Sequence, residues 1–282
     1  MGHEKNIALG RLGVLGICLT AGFAVPFVNV LREFAPEQLM VFRGFLTALM
    51  TVVVMRKIPW RVDRNTYLIA LVLPFATLGL FEGIRAWGAG PTIVILTATP
   101  FVTFALSPFL GRKISSASVV GLVLLLGGVA IARWGGEFQW AGFGWSVFAT
   151  VMNGILYELF ARSKAGRMET CFWFCIGMGT LGLVLSTHDS WAAAADPRLL
   201  IFLVGFAFVG GFLYSLANLL TFENLSTNEA SVLAQGETPA VILGAALLLG
   251  EHLTPVQWLG VALALYGAWH LSRWLKKQDA EP

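Results

Sequence analysis

The sequence predicts an all-α polytopic membrane protein whose ten transmembrane helices form two inverted five-helix repeats, with both termini cytoplasmic. Three observations predict this fold class. They are a very apolar composition, ten apolar segments joined by short connections, and an internal repeat that aligns without gaps.

The composition excludes a soluble globular protein. Of the 282 residues, 57% are hydrophobic and only 12% are charged, whereas soluble proteins carry about 25% charged residues. The net charge is +3, but the basic residues are scattered through short connections, so we expect no nucleic-acid partner. The expected partners are the lipid bilayer and a small-molecule substrate.

Ten segments are long and apolar enough to cross a bilayer, for which a helix needs about 20 residues. Of the 19 Lys and Arg residues, 14 lie at the ends and connections on one side, four lie on the other, and Arg43 lies within a span. The positive-inside rule therefore places both termini in the cytoplasm. The predicted spans are 10–31, 38–55, 66–86, 91–110, 117–134, 142–162, 169–187, 199–221, 228–249 and 256–275.

The two halves of the chain share a repeated block. "TATPFVTFALSPFLGRKISSASVVGLVLLLGG" (97–128) aligns with "GETPAVILGAALLLGEHLTPVQWLGVALALYG" (236–267) at a constant offset of 139, and five Thr, Pro and Gly positions match. We predict repeats over 1–135 and 136–282. An odd number of helices inverts the second repeat, and inverted repeats are typical of secondary transporters, whose substrate sites lie near the midplane at interrupted helices. Pro100, Pro239 and Gly236 are the predicted interruptions.

These motifs resemble the drug/metabolite transporter superfamily, in particular its ten-helix group with two EamA-type repeats. The resemblance is carried by the paired blocks, by "LLLGEHLTPVQWLGVALALYG" and by "VFRGFLTAL" (41–49). The sequence is most similar to the bacterial amino-acid exporters, including the aromatic amino-acid exporters. The resemblance implies export by alternating access across the inner membrane.

Glu237 is the leading candidate for the substrate site. It lies about ten residues into the predicted ninth span, and an ionisable residue at that depth indicates function. It would contact substrate or exchange a proton, with Gln235 addressing the same cavity if Pro239 loosens the helix. The alternative is a protonated acid that hydrogen-bonds the backbone freed by the proline.

Other polar residues inside the spans are candidates for the cavity wall. Asn153 and Tyr157 share one helix face, as do Tyr214 and Asn218, and each asparagine could instead join helices. Thr97 and Thr99 flank Pro100 but could satisfy their own backbone. Glu82 is a further candidate, although an ion pair with Arg85 at i+3 is the alternative.

The sequence also bears on the alternatives to amino-acid transport. A nucleotide-sugar or other carrier of the same superfamily would need a deep base, and Arg43, near a span end, is expected to extend toward the headgroups. A membrane sensor or receptor has no positive sequence feature. No nucleophile–base pair or H-E-x-x-H spacing predicts an enzyme. We expect a monomer without metal or cofactor, and protons as candidate coupling ions.

Overall fold

The computed structural model describes residues 6–60, 62–106, 116–132, 138–163, 165–186, 191, 194, 196–225 and 236–278. These residues form helices and connections, with no strand among them. The helices are α1 (Ile7–Val30), α2 (Pro36–Met55), α3 (Arg64–Trp87), α4 (Ala89–Leu96), α5 (Thr99–Leu106), α6 (Ser116–Ala132), α7 (Trp140–Arg162), α8 (Arg167–Leu185), α9 (Pro197–Phe206), a π-helical segment (Ala207–Leu213), α10 (Tyr214–Asn224), α11 (Glu237–Leu249) and α12 (Pro255–Gln278).

The described helices group into ten units when α4 is counted with α5, and α9 with the π segment and α10. Five units are long and apolar enough to cross a membrane: Ala8–Val30, Pro36–Met55, Arg64–Trp87, Met168–Leu185 and Pro197–Asn218. Val119–Ala132 and Glu237–Leu249 are shorter apolar helices. The helical class and a multi-pass membrane protein agree with the sequence, whereas membrane crossing by all ten units stays a prediction.

Contacts between helix ends define two faces of the bundle. At the near face, the Asn6 amide donates to the side chain of Asn224, at 3.1 Å, and Asn65 donates to the carbonyl of Arg162, at 2.8 Å. At the opposite, far face, Trp87 at the end of α3 packs against aromatic residues at the start of α7. Helices α1 and α3 therefore begin at the near face, and α7 and α10 end there.

Prolines inside two helices free backbone carbonyls that face glycines of neighbouring helices. Pro26 has no N–H, so the carbonyl of Gly22 in α1 loses its helical donor. That carbonyl lies against Gly244 of α11, where no side chain intervenes. The backbones of α1 and α11 therefore approach closely where Pro26 interrupts the hydrogen bonding of α1. Small residues allow such close approach in membrane helices. The same arrangement recurs between α3 and α8, with Pro74, Ala70 and Gly177 in the corresponding roles.

The fourth predicted span is divided between two helices in the structure. Helix α4 ends at Leu96 and α5 begins at Thr99, so the break precedes Pro100. Proline supplies no donor for the carbonyl four residues earlier, which is that of Leu96. The Thr99 hydroxyl donates to this carbonyl at 2.7 Å, and it therefore replaces the missing backbone donor.

A π-helical segment in the eighth unit has no counterpart in the sequence prediction. It covers Ala207–Leu213 and contains the pair Gly210 and Gly211. The Thr47 hydroxyl of α2 donates to the carbonyl of Ala207 at 3.2 Å, so a neighbouring helix satisfies an acceptor at the start of the widened turn. Such segments occur frequently at functional sites.

Helices α6 and α12 pack through glycines in a reciprocal pattern. A Cβ added at Gly128 would lie 2.7 Å from the carbonyl oxygen of Gly260, and one added at Gly267 would lie 2.8 Å from that of Gly121. The offset of 139 relates Gly128 to Gly267 and Gly121 to Gly260. The two contacts are therefore equivalent under the repeat. Reciprocity of this kind is what an interface across a two-fold axis requires.

We expect the Gly128→Leu variant to be strongly destabilised, because its side chain would collide with the backbone of Ala264. Overpacking typically costs about 1–3 kcal/mol. Gly127→Leu is the matched control, since an added Cβ there meets nothing within 4 Å. Thermal unfolding in detergent should show a lower melting temperature for Gly128→Leu alone. Equal effects of the two variants would contradict this packing.

Candidate functional site

A cavity of about 270 Å³ lies between the helices of the two halves of the chain. Eight of the ten described units line it, and α6 and α12 contribute no lining residue. Its walls are mostly apolar and include six aromatic residues. The polar residues that line it are Arg43, Thr77, Thr99, Asn153, Tyr157, Ser163, Thr170, Tyr214, Ser215, Asn218 and Glu237.

Glu237 lines this cavity as the first residue of α11. Its Oε2 atom accepts a hydrogen bond from the Tyr214 hydroxyl at 3.3 Å. Tyr214 is the first residue of α10, directly after the π segment. The hydrogen bond therefore joins the eighth and ninth units at the cavity wall.

Four further residues proposed from the sequence line the same cavity. Asn153 and Tyr157 lie on α7, and Tyr214 and Asn218 lie on α10. The Asn218 amide donates to the carbonyl of Tyr214 at 2.9 Å, so part of its hydrogen-bonding capacity is used within its own helix. Both predicted i,i+4 pairs thus face the cavity rather than lipid.

Of the two threonines near Pro100, only Thr99 lines the cavity, and Glu82 is not among the described residues that line it. Thr97 is buried, donates to the carbonyl of Val94 at 2.5 Å and lies outside the cavity lining. Thr99 lines the cavity, but its hydroxyl donates a hydrogen bond to the carbonyl of Leu96. Glu82 is not among the described residues that line the cavity, and its proposed place there is wrong.

The predicted partner of Glu82 is also engaged elsewhere. The Arg85 guanidinium donates to the carbonyls of Leu31, at 2.6 Å, Phe34, at 2.7 Å, and Arg32, at 3.1 Å. A cation at the carboxyl end of a helix satisfies carbonyls that lack intrahelical donors. Arg85 therefore caps α1 and its connection at the far face instead of forming an ion pair with Glu82.

The predicted interruption of the ninth span is a helix start in the structure. Gly236 precedes α11, and Pro239 is the third residue of that helix. Backbone N–H groups in the first turn of a helix have no intrahelical acceptor. Proline, which lacks an N–H, is therefore well tolerated there. Within α11 itself, Pro239 breaks no hydrogen bond. Gln235 lies outside the described residues.

Arg43 lies at the cavity, contrary to the expectation that it extends toward the headgroups. Its guanidinium carbon lies 5.8 Å from the ring centroid of Phe81 and 6.0 Å from that of Phe206. Both rings belong to the cavity wall. The sequence shows that Arg43 is near a span end, but it does not show that α3 and α9 offer aromatic faces to the guanidinium.

The two ends of the cavity differ. Toward the near face it extends to the α7–α8 connection, where Ser163 and Ala165 line it. Toward the far face it ends at Phe81 and Phe206, which are 1% and 2% exposed. Beyond these rings lie fully buried apolar residues of α1, α2 and α3. As far as the described residues show, the cavity is therefore closed toward the far face.

Glu251 contributes to this closure and was not identified from the sequence. Its carboxylate accepts hydrogen bonds from the amides of Ala89, at 3.3 Å, and Gly90, at 3.1 Å. These amides are at the start of α4, where donors lack intrahelical acceptors and the helix dipole favours an anion. Gly88, with φ 101°, bends the chain beside the carboxylate. The contact joins the two halves at the far face.

Comparison with known proteins finds a family match in the second half of the chain. Residues 140–273 match the model of the EamA-like transporter family. This match supports the drug/metabolite transporter superfamily. It implies a membrane transporter of that type, in agreement with the resemblance in the sequence. Similarity to amino-acid exporters in particular stays a prediction.

A solved structure, described only as the crystal structure of a protein, superposes on the chain with a TM-score of 0.70 and 13% sequence identity. The match covers 95% of this chain and 99% of the other. At this identity, the similarity shows the fold alone. No curated protein matches the chain.

We expect a cysteine at Asn153 to react with a water-soluble thiol reagent and one at Ser146 to be protected. The two positions are seven residues apart on one face of α7, but Asn153 lines the cavity whereas Ser146 is fully buried toward the far face. The native cysteines Cys18, Cys171 and Cys175 would first be replaced.

Labelling from each side of oriented vesicles provides the measurement. Reagent added on the near-face side should label Asn153→Cys rapidly and Ser146→Cys slowly. Faster labelling of Asn153→Cys from the far-face side would contradict the described closure.

Proposed function

We propose that the protein is an inner-membrane secondary transporter that exports amino acids or similar small metabolites by alternating access. The observation that carries this proposal is a cavity between the two halves of the chain that contains both Glu237 and Arg43. Such a cavity, closed at one face, fits one state of an alternating-access cycle. The family match supports the transporter class.

Alternating access also requires two halves that can exchange roles. We infer that residues 1–135 and 136–282 are inverted repeats, and the reciprocal glycine contacts between α6 and α12 support this inference. The arrangement of other helices is consistent with it, because α3 packs on α7 as α10 packs on α1. Under the offset of 139, α1 corresponds to α7 and α3 to α10.

The size of the cavity favours a small substrate over a nucleotide sugar. Pockets for drug-sized ligands are roughly 300–1,000 Å³, and this cavity is about 270 Å³. The sequence disfavoured an anion carrier because a deep base was lacking, and the position of Arg43 removes that objection. Glu237 provides a different argument against an anion carrier, because its carboxylate in the same cavity would repel a phosphate.

Orientation and assembly are part of the proposal. We infer from the positive-inside count that the near face, and with it both termini, lies in the cytoplasm. The cavity would then be accessible from the cytoplasm, as export of a cytoplasmic substrate requires. We propose that the protein functions as a monomer.

Transport by purified protein in liposomes tests this function. Vesicles loaded with labelled amino acids should lose label faster than protein-free vesicles, with and without an imposed pH gradient. No protein-dependent flux of any amino acid would contradict the proposal.

We expect Glu237→Gln to lose transport or its dependence on pH, because glutamine keeps the size of the side chain but cannot exchange a proton. Initial rates of flux would be measured between about pH 5 and pH 8, a range in which carboxyl groups in perturbed environments titrate. Glu169→Gln is the matched control, since Glu169 forms an exposed pair with Lys57 at the near face. If Glu237→Gln transports normally across this range, Glu237 is a structural acid.

A further inference from the structure

Among the described residues, the guanidinium at the cavity has no counter-ion. Within this part of the chain, Arg43 takes part in no hydrogen bond or ion pair, and its Nε atom is buried without a partner. The guanidinium carbon lies over the rings of Phe81 and Phe206. Aromatic faces attract a cation, but they supply no conventional acceptor for the N–H groups at its edge.

Arg85 shows how this chain accommodates an arginine with a structural role. Three backbone carbonyls accept hydrogen bonds from the Arg85 guanidinium. Arg43 has no such acceptors, although a charged arginine within a membrane helix costs about 2.5–3.5 kcal/mol. The edge of its guanidinium is therefore available to an anion in the cavity.

The opposite charge is present in the same cavity but is not paired with Arg43. Glu237 lines the cavity and accepts a hydrogen bond from Tyr214. Tyr214 lines the same cavity as Arg43. The cavity thus has a positive group on α2 and a negative group on α11.

We propose that Arg43 binds the carboxylate of a zwitterionic ligand whose ammonium group lies at Glu237. This inference rests on the proposed transport function and assigns residues to the two ends of the substrate. The planar guanidinium matches a carboxylate through two parallel hydrogen bonds. The apolar wall, with Phe160, Phe174 and Tyr157, accommodates an apolar or aromatic side chain.

This arrangement discriminates against ligands with a single charge. An amine without a carboxylate leaves Arg43 without an acceptor, and an acid without an ammonium group places two carboxylates in one cavity. Leaving a buried charge unpaired is strongly unfavourable. A zwitterion satisfies both groups and adds no net charge to the cavity.

Three matched probes test the assignment: L-phenylalanine, phenethylamine, which lacks the carboxylate, and 3-phenylpropanoate, which lacks the ammonium group. The binding of each to purified protein would be measured by calorimetry. Wild-type protein should bind phenylalanine most tightly. In Arg43→Gln, phenylalanine should bind about 10–100-fold more weakly, as expected for loss of a hydrogen-bonded charge, while phenethylamine binding should change little. Glu237→Gln should weaken phenylalanine but not 3-phenylpropanoate.

Two further variants separate recognition from folding. Arg43→Lys keeps the charge without the two-pronged geometry and should bind phenylalanine with intermediate affinity. Arg11→Gln removes an exposed arginine of α1 and should bind all three probes as the wild type does. Retained phenethylamine binding by Arg43→Gln would show that its cavity is intact.

The failure of this inference is distinguishable from failure of the proposed function. If the wild type transports amino acids but Arg43→Gln leaves phenylalanine binding unchanged, or weakens all three probes equally, the role of Arg43 is wrong and transport stands. If the wild type transports no amino acid and does not prefer phenylalanine to its two analogues, both proposals are wrong.

Discussion

The electrostatic cost of charge in a low-dielectric interior is the constraint on which the site depends. A carboxylate and a guanidinium occupy one cavity in a chain with only 12% charged residues, and neither neutralises the other. Glu237 has one tyrosine donor, and Arg43 has two aromatic faces. Charges held in this way need water or a ligand to complete their hydrogen bonds. The cavity between the halves provides the space for both.

The surrounding structure keeps these groups apart while allowing backbones to approach closely. Glycines pack α6 against α12 on one side of the molecule. Two helix prolines free carbonyls that face glycines of neighbouring helices. The π segment widens the eighth unit immediately before Tyr214. Each of these features is a departure from regular helix packing. The prolines and the π segment lie in helices that line the cavity, and irregular backbone is tolerated there within a membrane protein.

The helical class and six of the eleven polar residues that line the cavity follow from the sequence, because hydropathy and helical spacing are local properties. Asn153 and Tyr157, and likewise Tyr214 and Asn218, follow from four-residue spacing. The position of Arg43 could not be predicted, since depth in a span does not reveal which neighbouring helices flank a side chain. Glu251 was missed because its partners, the amides of Ala89 and Gly90, are about 160 residues away. Pairing across the two halves is not encoded locally.

In the proposed complex, Arg43 and Glu237 bind opposite ends of one substrate in the cavity between the halves. A structure determined with bound L-phenylalanine is the direct test. We expect the ligand carboxylate within hydrogen-bonding distance of the Arg43 guanidinium, its ammonium group at Glu237, and its ring against the aromatic wall. Phenylalanine bound outside this cavity, or within it with its carboxylate remote from Arg43, would show that these two residues do not bind the substrate in this way.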